Sequence, residues 1–145
     1  EVAQNIAGWF LKDGQTVVIE DFGKKQDRQI YKAKGNAKLV NYPTVVLINK
    51  GSASASEILA SALRDNRNIK LIGETSFGKG CVQELKNLRD GSSLKITVAN
   101  WLTPNGKLIT DKGLKPDIEV NMDESDYNKE GDIQLDKAIE TIKGI

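Results

Sequence analysis

The chain has 145 residues, 39% of them hydrophobic, with 21 basic and 20 acidic side chains and a formal net charge of +1. That length suits one domain or a large piece of one, and the even charge gives no reason to expect nucleic acid as a partner. A single cysteine and no histidine exclude an internal disulfide, a thiolate-rich or structural zinc site, and any Ser-His-Asp triad, so no metal or cofactor is expected.

Val2, Ile6, Trp9 and Phe10 recur at i, i+4, i+7 and i+8, which predicts an amphipathic helix with those residues on its apolar face, ending near Asp13-Gly14. Thr16 to Ile19 is β-branched and reads as a strand, with Gln29 to Ala33 as its partner through the turn Gly23-Lys24-Lys25. The loose cluster Lys24, Lys25, Lys32, Lys34 and Lys38 alternates with polar residues and reads as a solvated edge. After Pro43, Thr44 to Ile48 is the most apolar run and suits a strand buried on both faces of a parallel sheet. A helix over 54–65 carries Ile58, Leu59, Ala62 and Leu63 on one face, and Ile69 to Ile72 is the next strand, closing at Gly73. Strand, helix, strand in that order is a βαβ unit, so the class is α/β. Further on, Leu94 to Val98 alternates as a strand, and Thr103-Pro104-Asn105-Gly106 is a turn. An acidic stretch over 123–126 precedes a last helix with Leu135, Ala138, Ile139 and Ile142 at i, i+3, i+4 and i+7. No apolar run approaches the roughly 20 residues a bilayer span needs.

The chemistry concentrates in two short stretches. Gly51-Ser52-Ala53-Ser54-Ala55-Ser56-Glu57 places serines at the mouth of a helix, and Ser76-Phe77-Gly78-Lys79-Gly80 places a lysine in a glycine-flanked turn. A serine hydroxyl needs a base and donors for the developing oxyanion; with no imidazole in the chain, lysine is the remaining base. The free N–H groups of a helix start supply the donors, that of Ala55 first among them. The plain alternative is that Ser54-x-x-Glu57 is only a capping box, and residue type alone does not choose among Ser52, Ser54 and Ser56. A lysine amine ionises at about pH 10.4 in water, so a basic lysine needs apolar walls, for which Phe77 and Val82 are candidates. Gln83 lies four residues after Lys79. Only a helical turn over 79–83 brings their side chains together, and such a turn is predicted.

These residues resemble the C-terminal processing peptidases, also called tail-specific proteases. The likeness runs through Val45 to Ile58, Gly73-Glu74-Thr75-Ser76-Phe77-Gly78-Lys79-Gly80 and Val82-Gln83. It continues in Asp90-Gly91-Ser92, Leu94 to Val98, Thr103-Pro104-x-Gly106 and Lys112-Gly113-Leu114-x-Pro116-Asp117. The resemblance implies a Clp protease/crotonase-like α/β superhelix, with βαβ units and a mixed sheet. It implies Ser54 as nucleophile, Lys79 as general base, Gln83 as a supporting residue, and Asp65 on an acidic position that supports activity in some members. The implied reaction is endoproteolysis near the C-terminus of protein substrates, through an acyl-enzyme on Ser54. The implied setting is extracytoplasmic: periplasm, cell envelope or secreted.

In this family a PDZ domain usually precedes the core and recruits substrate tails by adding a strand. A Gly-Gly motif giving a second oxyanion N–H lies just before a helix like that over 2–11. The expectation is therefore the C-terminal part of a peptidase core over 1–145, with flanking helices over 1–12 and 132–143, weak or inactive alone. A PDZ domain is expected upstream in the parent protein, and homo-oligomers are compatible with the reading. Two departures from the family pattern stand out, Lys50 in place of an acidic or polar residue and Cys81 in place of Ser or Thr. Two competing readings remain: a non-catalytic binding or structural module of the same fold, and a crotonase-like acyl-CoA enzyme with Glu57 and Glu74 as its acidic candidates.

Overall fold

The computed structural model describes residues 1–24, 26–123, 126 and 131–145. Lys25, in the first turn and the lysine cluster, and Glu124 and Ser125, in the acidic stretch, lie outside the described residues.

Helix α1 (Val2–Phe10) forms where expected, but on a different face. Ala3, Ala7 and Gly8 are buried, whereas Val2, Ile6 and Trp9 are 69%, 41% and 48% exposed. The cause is close packing. Gly8 O accepts from Ala37 N–H at 3.0 Å and Trp9 O from Leu39 N–H at 2.8 Å, so a neighbouring loop lies flat on the helix where large side chains would not fit. Trp9 instead lies on the surface, under the Lys38 ammonium at 5.9 Å from its ring centre.

Strand β1 (Thr16–Asp21) pairs antiparallel with β2 (Gln29–Lys32) on one side. On the other it pairs with β6 (Ser93–Leu102), which carries β5 (Cys81–Asn87) on its far edge. The second sheet is parallel, in the order β3 (Val45–Ile48), β4 (Lys70–Gly73), β7 (Ile118–Glu119). The parallel and antiparallel pairings expected from the sequence are thus divided between two sheets.

Between β3 and β4 runs α2 (Ala55–Arg67), completing the βαβ unit. Ile58, Ala62 and Leu63 pack with Ala3, Ala7, Leu11, Val17 and Val18 in one core cluster. Ala60 joins Ile48, Leu71, Ile109 and Leu114 in another, and Val46 and Trp101 lie against both. Burying side chains such as Ile58 and Leu63 stabilises by about 1.5–3 kcal/mol each, which fixes α2 and therefore where its first residue points.

β3 is not buried on both faces. It is an edge strand, and Leu47 is 40% exposed. Val45 and Leu47 instead line an open apolar groove of about 290 Å³ with Leu135, Ala138, Ile139 and Ile142 of α3 (Ile133–Lys143).

Candidate active site

Ser54 is the residue that caps α2, but it does so in an unusual conformation. A normal N-cap lies in the β region. Ser54 has φ 54 and ψ −112, in a region L-residues avoid at a cost of about 1–3 kcal/mol. Such strain persists only where surrounding contacts over-determine it. Here the contact is Glu57, which closes the capping box by accepting the Ser54 N–H at 2.8 Å.

The structure also separates the three serines. Ser52 Oγ accepts from Asn49 N–H at 3.1 Å and braces the loop after β3. Ser56 lies inside the first turn of α2. Ser54 alone of the three has the strained backbone, and it is exposed. The N–H of Ala55, at the first position of α2, donates to no acceptor among the described residues, which leaves it free for an oxyanion.

Lys79 is brought to this helix start by the same carboxylate. Glu57 is fully buried, and its side chain accepts four hydrogen bonds. Oε1 accepts from Ser76 Oγ at 2.5 Å and from Gly78 N–H at 2.6 Å. Oε2 accepts from Ser54 N–H at 2.8 Å and from Lys79 N–H at 3.0 Å. One oxygen therefore holds the backbone nitrogens of Ser54 and Lys79 within 5.8 Å of each other. That separation is within reach of a four-carbon lysine stem.

The loop is fixed from its other side as well. Phe77 N–H donates to Ser52 O at 2.9 Å, Asp111 N–H to Gly78 O at 3.0 Å, and Leu114 N–H to Ser76 Oγ at 2.7 Å. Both flanking glycines are required by this fit. Gly78 has φ +86 with Gly113 N 2.9 Å from where a Cβ would stand, and a Cβ on Gly80 would collide with Thr110 N.

Several sequence expectations are corrected. Residues 79–83 do not form a helical turn. β5 begins at Cys81, and its pairing with β6 extends the chain, so Gln83 pairs with Thr97 and is exposed. Extended spacing carries Gln83 up to about 13 Å along the chain from Lys79, and no hydrogen bond joins them among the described residues. Nor do Phe77 and Val82 wall in the amine. Phe77 is 67% exposed, Lys79 is exposed, and its Nζ has no hydrogen-bond or ion-pair partner among the described residues. The pair Ser54 Oγ and Lys79 Nζ is likewise not joined by a hydrogen bond among the described residues.

Asp65 lies eleven residues along α2 from Ser54, about 16 Å at the helical rise. Its carboxylate accepts the Asn105 N–H at 3.1 Å and pairs with Arg64 at 3.5 Å, so it anchors the 103–106 turn. Lys50 pairs with the buried Glu74 at 3.3 Å. The acidic candidates for acyl-CoA chemistry are thereby engaged elsewhere, Glu57 in its four hydrogen bonds and Glu74 with Lys50. The role of Glu57 is what sequence reasoning missed. Its place in a capping box was legible, but its donors at Gly78 and Lys79 lie 21 and 22 residues away.

Residues 1–120 match the model of peptidase family S41. The chain belongs to that family. Among relatives of this S41 chain, the carboxy-terminal processing protease CtpA of Bacillus subtilis is 42% identical over 138 residues, covering 95% of this chain and 29% of the relative. The solved photosystem II D1 C-terminal processing protease superposes with a TM-score of 0.74 at 39% identity, over 82% of this chain and 30% of that one. The tricorn protease, at 18% identity, shares the fold with a TM-score of 0.64 over 99% of this chain and 14% of its own. The chain thus spans under a third of the length of the curated relatives it matches.

Proposed function

We propose that this chain carries the catalytic pair of a serine endopeptidase in which Ser54 is the nucleophile and Lys79 its general base, acting on proteins near their C-terminus. The observation that supports this most is the Glu57 grip, which holds a strained helix-start serine and a loop lysine within 5.8 Å of each other, backbone to backbone. Relatives named for carboxy-terminal processing support protein tails as the substrate class.

In this reading Ser54 Oγ attacks the substrate carbonyl and gives its proton to the Lys79 amine, while the Ala55 N–H receives the oxyanion. The Lys79 ammonium then protonates the leaving amine. Water, deprotonated by the same amine, releases the acyl group from Ser54. Bound substrate has a second task here: by covering Lys79 it expels water from around the Ser54–Lys79 pair.

The exposure of Lys79, and its lack of a hydrogen bond to Ser54, favour a second reading for the chain taken alone, an inactive or binding module of the same fold. Labelling by a fluorophosphonate separates the two. In the intact protein, Ser54→Ala abolishes labelling and Lys79→Ala slows it by about 10³-fold or more, the scale on which losing a member of a nucleophile–base unit acts. Labelling that survives Ser54→Ala moves the nucleophile to another serine, and an unlabelled intact protein favours the module.

A further inference from the structure

We infer that Glu57 is a positioning residue for catalysis, and that its carboxylate sets where the Lys79 amine stands relative to Ser54. The inference rests on the Ser54–Lys79 reading and extends it to a residue that touches neither substrate nor the reacting atoms.

The argument begins with what a helix start requires. A capping box needs its glutamate to accept one hydrogen bond, from the cap N–H. Glu57 makes that bond with Oε2 and also accepts from Lys79 N–H, Gly78 N–H and Ser76 Oγ. It does so fully buried, with no cation paired to it among the described residues. Such a charge is tolerated because three backbone N–H groups and a hydroxyl converge on it at the positive end of α2. For capping alone this burial would be a needless cost. What the extra bonds achieve is to attach the Lys79 loop to the first turn of the serine helix.

Oε2 is the shared point. It ties the cap N–H to the lysine N–H, so movement of the loop away from α2 breaks a charge-assisted hydrogen bond. Ser76 carries the connection outward, donating to Glu57 and accepting from Leu114 N–H, which lies 38 residues further on. The lysine is thus located by its backbone, while its amine remains free for the serine or the substrate.

Glu57→Gln tests this, because the amide keeps the shape but presents an N–H₂ where an acceptor is needed. Phosphonylation of Ser54 in the intact protein is followed in four proteins: wild type, Glu57→Gln, Lys79→Ala and the double variant. The expected result is a loss of about 10²-fold for Glu57→Gln, the scale on which small misplacements of reacting groups act. With Lys79 already removed, the same substitution should cost no more than a few-fold. Equal losses in both backgrounds overturn the inference and leave Glu57 acting on the helix start alone. Ser76→Ala, a milder change at the same carboxylate, guards against misfolding of Glu57→Gln. It should slow labelling several-fold with Lys79 present and hardly at all without it. If Lys79→Ala labels as fast as wild type, the Ser54–Lys79 reading itself has failed, and the inference falls with it.

Discussion

At its N-terminal end, α2 begins on a serine with strained backbone and buries a carboxylate that no cation balances among the described residues. At its C-terminal end it closes on Asn68 in the left-handed region, where asparagine is readily accommodated. Asn66 there donates to Thr16 O and Ala62 O, both at 2.8 Å. Arg67 donates to Leu39 O at 3.3 Å and Tyr42 O at 2.9 Å, and burial lowers its guanidinium from the usual arginine range. The two ends are both rich in long-range hydrogen bonds, but they hold different things. The C-terminal bonds reach loops that only need to be packed. The N-terminal bonds gather four donors from two segments onto one carboxylate and leave two candidate groups, Ala55 N–H and Lys79 Nζ, without partners among the described residues. On the reading proposed above, a helix of 13 residues is thus scaffold at one end and site at the other.

If that contrast is correct, the largest effect on stability comes from removing the buried acceptor altogether. Glu57→Leu leaves the N–H groups of Gly78 and Lys79 and the Ser76 hydroxyl facing an apolar side chain. The expected loss is about 3 kcal/mol or more, since each orphaned buried donor costs about 1–3 kcal/mol and the relief of a buried charge returns only part. Urea denaturation of the intact protein reads it as a lower midpoint at unchanged slope. A loss below about 1 kcal/mol would mean that the loop is held by its other bonds and that the N-terminal end is ordinary.

Asn66→Ala probes the other end. It removes two bonds to backbone carbonyls, with an expected loss of about 1–2 kcal/mol. Labelling of Ser54 by a fluorophosphonate should be unchanged at temperatures where the variant is folded. A slowing of labelling comparable to that of Ser76→Ala would erase the distinction between the ends.

Much of this arrangement was legible in the sequence. The βαβ unit followed from an apolar run, a 3.6-residue periodicity and a second short run, all local signals. So did the start of α2 at Ser54, since Ser-x-x-Glu is a local motif. What escaped were features decided at a distance. β5 carries Gln83, Glu84, Lys86 and Asn87, all exposed, and gives no period-2 pattern of burial to read. It is a strand because β6 pairs with it from Cys81 to Asn87, and that pairing is also what removes the expected Lys79–Gln83 turn. The face of α1 was misread for a related reason. Periodicity favoured Val2, Ile6 and Trp9, whereas close approach of the chain around Lys34 and Ala37 selects Gly8, and packing against β1 and α2 selects the small residues Ala3 and Ala7. Glu57 shows the limit most plainly: its capping partner is three residues away and the loop nitrogen of Lys79 that it also binds is 22 away.

The smallest effect belongs to Asp65, and it sharpens the comparison because its family position gave it a claim on the site. In this fold it lies about 16 Å from Ser54 along the helix. Its side chain is 4% exposed, with Arg64 beside it and the Asn105 N–H on its other oxygen. Asp65→Asn keeps an acceptor for Asn105 and weakens only the attraction to Arg64, whose own side chain is 21% exposed, so solvent at the guanidinium limits the expected loss to about 1 kcal/mol. Labelling of Ser54 should stay within about two-fold of wild type, since the change keeps the side chain's shape and lies about 16 Å from Ser54 along the helix. If Asp65→Asn instead slows labelling strongly while the protein stays folded, the 103–106 turn that Asp65 anchors must carry part of the site. The C-terminal end of α2 could then no longer be treated as scaffold.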